Sequence, residues 1–218
     1  MAYNSQRHKR KKGAPIKYLW ITVFTAVFVW SGIEPKDRLT WVLEVLPAVI
    51  AVVIMAFSYR SFRLTPLLYL LILLHCIILM IGGHYTYAEV PLFDDLKEVF
   101  GFTRNNYDKV GHIAQGFVPA LVAREIIIRK EVINGAAWRT FFILSVCLAI
   151  SALYEIIEWW VALLSDEAAD SFLGTQGYTW DTQSDMMWAL SGAIAALLLL
   201  GRWHDKQLDA RGYVTAPA

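Results

Sequence analysis

Six apolar stretches follow one another along this chain, each close to the length at which an α-helix crosses a lipid bilayer. Roughly 20 apolar residues are needed to span the ~30 Å hydrocarbon core. One run of that kind could be a buried core helix, but six exceed what a water-soluble domain of 218 residues can cover. Hydrophobic residues make up 57% of the chain, and the mean hydropathy is +0.44. The ~10-residue alternation of a transmembrane β-strand is absent. The pattern therefore predicts an all-α polytopic membrane protein, a bundle of six transmembrane helices.

The runs place the spans at about 16–33, 41–57, 64–84, 108–128, 138–164 and 184–203. The expected organisation is a basic tail over 1–15, a six-span domain over 16–203 and a short tail over 204–218. The fourth span is the least apolar, since Asp108, Lys109, His112 and Gln115 lie in its first half. A soluble or re-entrant segment is the alternative there, but GFVPALVAREIII continues the apolar run. Arg7, Lys9, Arg10, Lys11 and Lys12 precede the first run in the manner of a signal peptide. The following WSGIEPKD has no small-x-small cleavage site, so an uncleaved first span is expected.

Charge then orients the bundle. With six spans, fifteen of the twenty Lys and Arg residues fall on one side, leaving Lys36, Arg38, Lys97, Arg104 and Lys109 on the other. The positive-inside rule places both termini in the cytoplasm. The stretch 165–182 has no Lys or Arg but carries Asp166, Glu167, Asp170 and Asp181, and should face outward. Removing one span would break this alternation. Trp20, Trp41, Trp138, Trp160 and Trp203 fall near span ends, where indole rings favour the interface. Pro47 and Pro119 should kink the second and fourth spans. Cys76 and Cys147 are isolated at mid-span and read as packing residues, and His75 reads as a hydrogen-bonded core histidine.

Ionisable residues inside spans are costly and usually face a bundle interior or a water-filled cavity. Glu44, His84, Asp108, His112, Gln115, Glu155, Glu158, Asp181 and Asp185 all fall in the outer halves of this topology. Asp108 and His112 are i,i+4, with Gln115 on the same face, and Glu155 and Glu158 are i,i+3 neighbours. The stretch FLGTQGYTWDTQSDMMW, 172–188, adds Gln183, with Gly174 and Gly177 expected to turn it over the site. The inner halves of the spans read as almost purely apolar. Carboxylates this close must share protons or be neutralised by a cation. His112, Glu155, Glu158 and Asp185 form a candidate ligand set for a divalent metal, although no HExxH or ExxH signature is present.

YDKVGHIAQGF (107–117), YEIIEW (154–159) and GTQGYTWDTQSDM (174–186) resemble the DUF2238 family of bacterial inner-membrane proteins, the YjdF-like group. The resemblance implies a multi-pass protein of the bacterial inner (plasma) membrane. More distantly, DKxxH, a Glu on the next span and an Asp entering the last span are similar to VanZ-like proteins, which are associated with glycopeptide (teicoplanin) resistance. That pattern maps onto Asp108, Lys109, His112, Glu155, Asp185 and Gly192. It departs where Glu158 stands in place of Gln and Ala189 in place of Asn.

Three functions compete. The first is a membrane protein that binds a lipid head group, small ligand or cation at an outward-facing carboxylate and histidine site. The second is an enzyme acting on a lipid or lipid-linked substrate, with His112 as base or metal ligand and Glu155 and Glu158 as acidic partners. No GxSxG or other nucleophile motif supports it, and no catalytic residue is assigned. The third is a small proton-coupled transporter, against which stand the apolar inner halves and the lack of an inverted repeat. The expected partners are membrane lipid and a ligand at the outer face. Nucleic acid is not among them, because the basic N-terminal run serves as a topology signal and a contact for anionic lipid. The sequence carries no sign of an oligomeric state.

Overall fold

A computed structural model describes residues 2–164 and 175–213, with backbone alone for 2–15. Asp166, Glu167, Asp170 and Gly174, on which the acidic outer loop and its turn were expected, lie outside the described residues, as do residues 214–218 and the side chains of the basic N-terminal run.

The described residues are helical throughout, with seven α-helices and no strand. They are α1 (Ala2–Ser31), α2 (Arg38–Ser58), α3 (Pro66–Tyr85), α4 (Pro91–Phe100), α5 (Tyr107–Arg129), α6 (Ala136–Leu164) and α7 (Asp181–Asp209). By length and composition α2, α3, α6 and α7 can each cross a membrane, and the apolar part of α1, Ile16–Ser31, is shorter. α5 is too rich in charge to qualify on hydropathy, yet its 23 residues reach about 35 Å. It packs against α3, α6 and α7, so its polar side chains are covered by neighbouring helices. Large apolar side chains such as Phe57, Leu164, Leu198 and Leu199 are exposed around the bundle. A coat of that kind needs hydrocarbon around it.

Local chemistry explains where the helices begin. Asp37 caps α2, its carboxylate accepting from the Thr40 backbone N–H at 2.6 Å. Pro66 and Pro91 open α3 and α4, where a missing N–H costs nothing. α4 was not anticipated. It is a ten-residue amphipathic helix in the connection between α3 and α5, closed by Gly101 in the left-handed region, with Leu92, Val99 and Phe100 exposed. Pro47 and Pro119 lie inside α2 and α5 as expected. Cys76 and Cys147 are buried free thiols.

The tightest approach in the fold is between α5 and α7. A Cβ built on Gly116 would lie 1.7 Å from the Ala189 carbonyl oxygen, and one on Gly192 would lie 2.1 Å from that of Ile113. The two backbones are in direct contact, as in small-residue interfaces between membrane helices generally.

The opposite end of the bundle corrects one expectation. The spans there are not purely apolar. Glu125 is fully buried and accepts from the Thr65 backbone N–H (3.1 Å), the Thr65 hydroxyl (2.7 Å) and Arg129 (2.7 Å). Arg124 donates to Asp205 at 2.5 Å and approaches His204 Nδ1 at 3.2 Å. A guanidinium can only donate, so Nδ1 accepts and the His204 proton sits on Nε2, 3.0 Å from Glu125 Oε2. Arg211 closes the network with 2.8 Å bonds to the carbonyls of Arg63 and Leu64. α7 thus continues past residue 203 because His204 and Asp205 are pinned to α5. Sequence position hid this network, since Arg124 and Arg129 read as ordinary cytoplasmic charges.

The close contact predicts that Gly116→Ala and Gly192→Ala each destabilise by about 1–3 kcal/mol or more. The yield of monodisperse protein in detergent should fall several-fold for both, whereas Gly201→Ala, with open space at its Cβ, should match wild type. The α2 cap predicts a pH effect. The Thr40 backbone N–H holds the Asp37 carboxyl below its ordinary value of 3.8. A depressed folded pKa contributes stability above the unfolded pKa, and that contribution is lost as pH falls through the folded value. Asp37→Ala should cost about 1 kcal/mol at neutral pH. Thermal unfolding should show the gap from wild type closing as pH drops below 3.8.

Candidate functional site

The polar site lies where the N-termini of α2, α5 and α7 meet the C-terminal halves of α3 and α6. Six carboxylates are buried there: Glu44 from α2, Asp108 from α5, Glu155 and Glu158 from α6, and Asp181 and Asp185 from α7. The i,i+4 and i,i+3 spacings seen in the sequence turn these groups to common faces, and the α5–α7 contact brings two of those faces together. His112 Nε2 is 3.2 Å from Asp108 Oδ1 and 3.9 Å from Asp185 Oδ2. Its Nδ1 is 3.2 Å from Gln115 Oε1. One oxygen each from Asp108 and Asp185 lies within 4.8 Å of a His112 nitrogen and of each other, and the same holds for Glu155 and Glu158.

Two expected members are placed elsewhere. His84 lies tilted against Trp30 and edge-on to Tyr85, its Nδ1 3.1 Å from the Ser31 carbonyl, and joins α1 to α3. Gln183 is exposed, because a helix turns it away from the face shared by Asp181 and Asp185. Gln176, in the stretch before α7, makes a paired contact with the Asn105 backbone, accepting at 2.9 Å and donating at 3.0 Å. That stretch is therefore fastened to the residues leading into α5. Gly177, with φ +81°, supplies the left-handed turn expected of it.

Three participants escaped the sequence analysis. Arg104 read as a loop charge, yet it is buried, pairs with Asp181 and lies 3.3 Å from Asp108. Its place four residues before Asp108 was the available signal. Tyr154 donates to Glu44 at 2.9 Å, linking α6 to α2. Tyr87 is wedged between helices, so that a Cβ on Gly82 would meet its ring at 2.2 Å and one on Gly111 at 2.6 Å. Its position depends on Thr86, a β-branched residue held at φ +59°.

A cavity of about 760 Å³ runs from these acids down the bundle. Glu44, Tyr87, Asp108, His112, Tyr154 and Glu158 line its polar end. Beyond them the wall is largely apolar, with Ala48 and Ala51 from α2, Ile72 and Cys76 from α3, Val118 and Val122 from α5, and Ile150 from α6, and Ser58, Ser61 and Lys130 line the far end. His75, expected in a hydrogen-bonded core position, also lines this wall. Pro47 and Pro119 line it too. Ile54, Ile126, Val146 and Ile150 line the cavity yet are 40–60% exposed, which makes the gap between α2 and α6 a side opening. The volume falls within the roughly 300–1,000 Å³ of small-molecule sites.

Charge restricts what such a site can hold. Six buried carboxyl groups face two basic groups, Arg104 and His112, an excess of acids that cannot all stay ionised in a low dielectric. The excess favours a cation, a proton-sharing arrangement or a hydrogen-bonding neutral group, and opposes a bare anion.

Residues 16–206 match the family described as "Predicted membrane protein (DUF2238)". The chain is 51% identical over 191 residues to a protein of Escherichia coli (strain K12) named "Inner membrane protein YjdF", a match covering 88% of this chain and 91% of that protein. No solved structure matches. With several apolar helices of spanning length, the chain is a multi-pass inner-membrane protein, and it belongs to the DUF2238 family.

Proposed function

We propose that this protein binds a membrane amphiphile, with the polar head at the carboxylate and histidine end and a hydrocarbon chain in the apolar cavity. The observation that carries this reading is the cavity itself, rich in acids at one end, largely apolar along its length and open to the side between α2 and α6. From Glu44 to Ser58 its wall on α2 extends about 21 Å, long enough for an extended acyl chain. The side opening lets a hydrocarbon chain slide from the bilayer into the apolar length of the cavity. The negative charge of the polar end favours a head that is cationic, hydroxylated or bridged by a metal ion.

In the same proposal α1, α2, α3, α5, α6 and α7 cross the membrane and both termini lie in the cytoplasm. Fifteen of twenty Lys and Arg residues on one side support that orientation. The polar end of the cavity then opens near the outer leaflet, and the Glu125 network lies at the cytoplasmic end. The exposed apolar face of α4 fits a helix lying in the outer interface.

Two measurements test this. Native mass spectrometry of wild type from mild detergent should show a retained lipid, and Ala51→Trp or Val122→Trp should reduce its occupancy several-fold without altering monodispersity. Wild type without retained lipid, or unchanged occupancy in both variants, rejects the reading. Reporter fusions at residues 103 and 213 should report periplasmic and cytoplasmic locations respectively, and the reverse result would overturn the orientation.

A further inference from the structure

We propose that His112, Asp108, Asp185, Glu155 and Glu158 form a binding site for a divalent transition-metal ion at the head of the cavity. The two groups of possible ligand atoms share His112, and within each group all atoms lie inside 4.8 Å of one another. Bonds of about 2.0–2.2 Å place the ligand atoms of one ion roughly 3–4 Å apart. The separations of His112 Nε2 from Asp108 (3.2 Å) and Asp185 (3.9 Å) match that spacing. One group draws its ligands from α5 and α7 and the other from α5 and α6, so an ion held in either would join two helices through His112.

A second observation points to a ligand independently of the clustering. Glu155 is 7% exposed, and its Oε1 is buried with no hydrogen-bond partner among the described residues. An orphaned carboxylate oxygen is costly in a low dielectric unless a cation or proton meets it. The histidine chemistry agrees. Gln115 Oε1 can only accept, so His112 Nδ1 carries its proton. Nε2 then faces two carboxyl groups, and a proton or a metal ion has to lie between them. A ligating histidine whose other ring nitrogen donates to a neighbouring oxygen is the usual arrangement at metal centres. Mixed nitrogen and carboxylate donors suit zinc or manganese, whereas calcium and magnesium favour oxygen alone. Arg104 does not fill this role, since its guanidinium engages Asp181 and Asp108 from the outer side.

The test uses full-length protein purified in detergent without chelators, equilibrated with micromolar Zn²⁺ or Mn²⁺, desalted and analysed for metal. Wild type should retain about one equivalent of one of these ions and unfold at a higher temperature in its presence. His112→Ala and Asp185→Asn should abolish retention. Gln115→Ala, which leaves every ligand in place on a half-buried position, should weaken affinity about 10–100-fold. Glu125→Gln, in the network at the other end, should retain metal as wild type does. Less than about a tenth of an equivalent of both ions on monodisperse wild type overturns the proposal. Retention at the wild-type level by His112→Ala and Asp185→Asn overturns it as well. The lipid reading fails separately, through loss of retained lipid with metal still bound.

Discussion

The direct backbone contact between α5 and α7 is the interaction on which the remainder of the structure depends. Gly116 against Ala189 and Gly192 against Ile113 let the helices approach without intervening side chains. Only at that separation can Asp181 and Asp185 reach Arg104 and His112 at one end. At the other, His204 and Asp205 reach Glu125 and Arg124. In hydrocarbon the hydrophobic effect does not draw helices together, so close packing and internal satisfaction of polar groups take its place. A glycine contact at the centre and a polar network at each end is how this pair meets both demands.

The two polar ends differ in how completely their carboxylates are paired. Around Glu125 every acceptor has a matching donor: Thr65, Arg129 and His204 serve the carboxylate, and Arg124 serves Asp205. Such a network satisfies its carboxylates, although Arg129 Nε has no partner among the described residues, and it fastens the α2–α3 connection to α5 and α7. Around His112 the account does not close. Carboxylates outnumber cations, and one oxygen of Glu155 is left over. The apolar cavity begins at this incomplete end. A buried cluster that is short of positive charge and opens into a cavity is suited to receiving something from outside the chain.

Legibility from sequence tracked how local each signal was. Asp108, His112 and Gln115 shared a face by spacing alone, and Glu155 with Glu158 did likewise. All five stayed together once folded. His84 shared their depth along the bundle but not their direction, because depth follows from residue number while direction depends on which helix a face packs against. His84 turned to Trp30 and Tyr85 on the α1 side. Arg104 and Glu125 were hidden for the opposite reason. Each sits where a loop or helix-end charge is ordinarily solvated, and only long-range partners, Asp181 for one and Thr65 and His204 for the other, make them interior residues. α4 escaped because ten residues are too few for a spanning run.

By itself the sequence determined that the chain is helical and membrane-embedded, roughly where its helices lie, and that its acids concentrate toward one end. Those properties follow from hydropathy and from a period of 3.6 residues, which need no knowledge of neighbours. Tertiary structure alone decided which polar faces meet, that an open-sided cavity separates α2 from α6, and that a second ionic network closes the other end. These depend on helix rotation and distance, set here by a few glycines whose missing side chains leave no mark in a hydropathy profile.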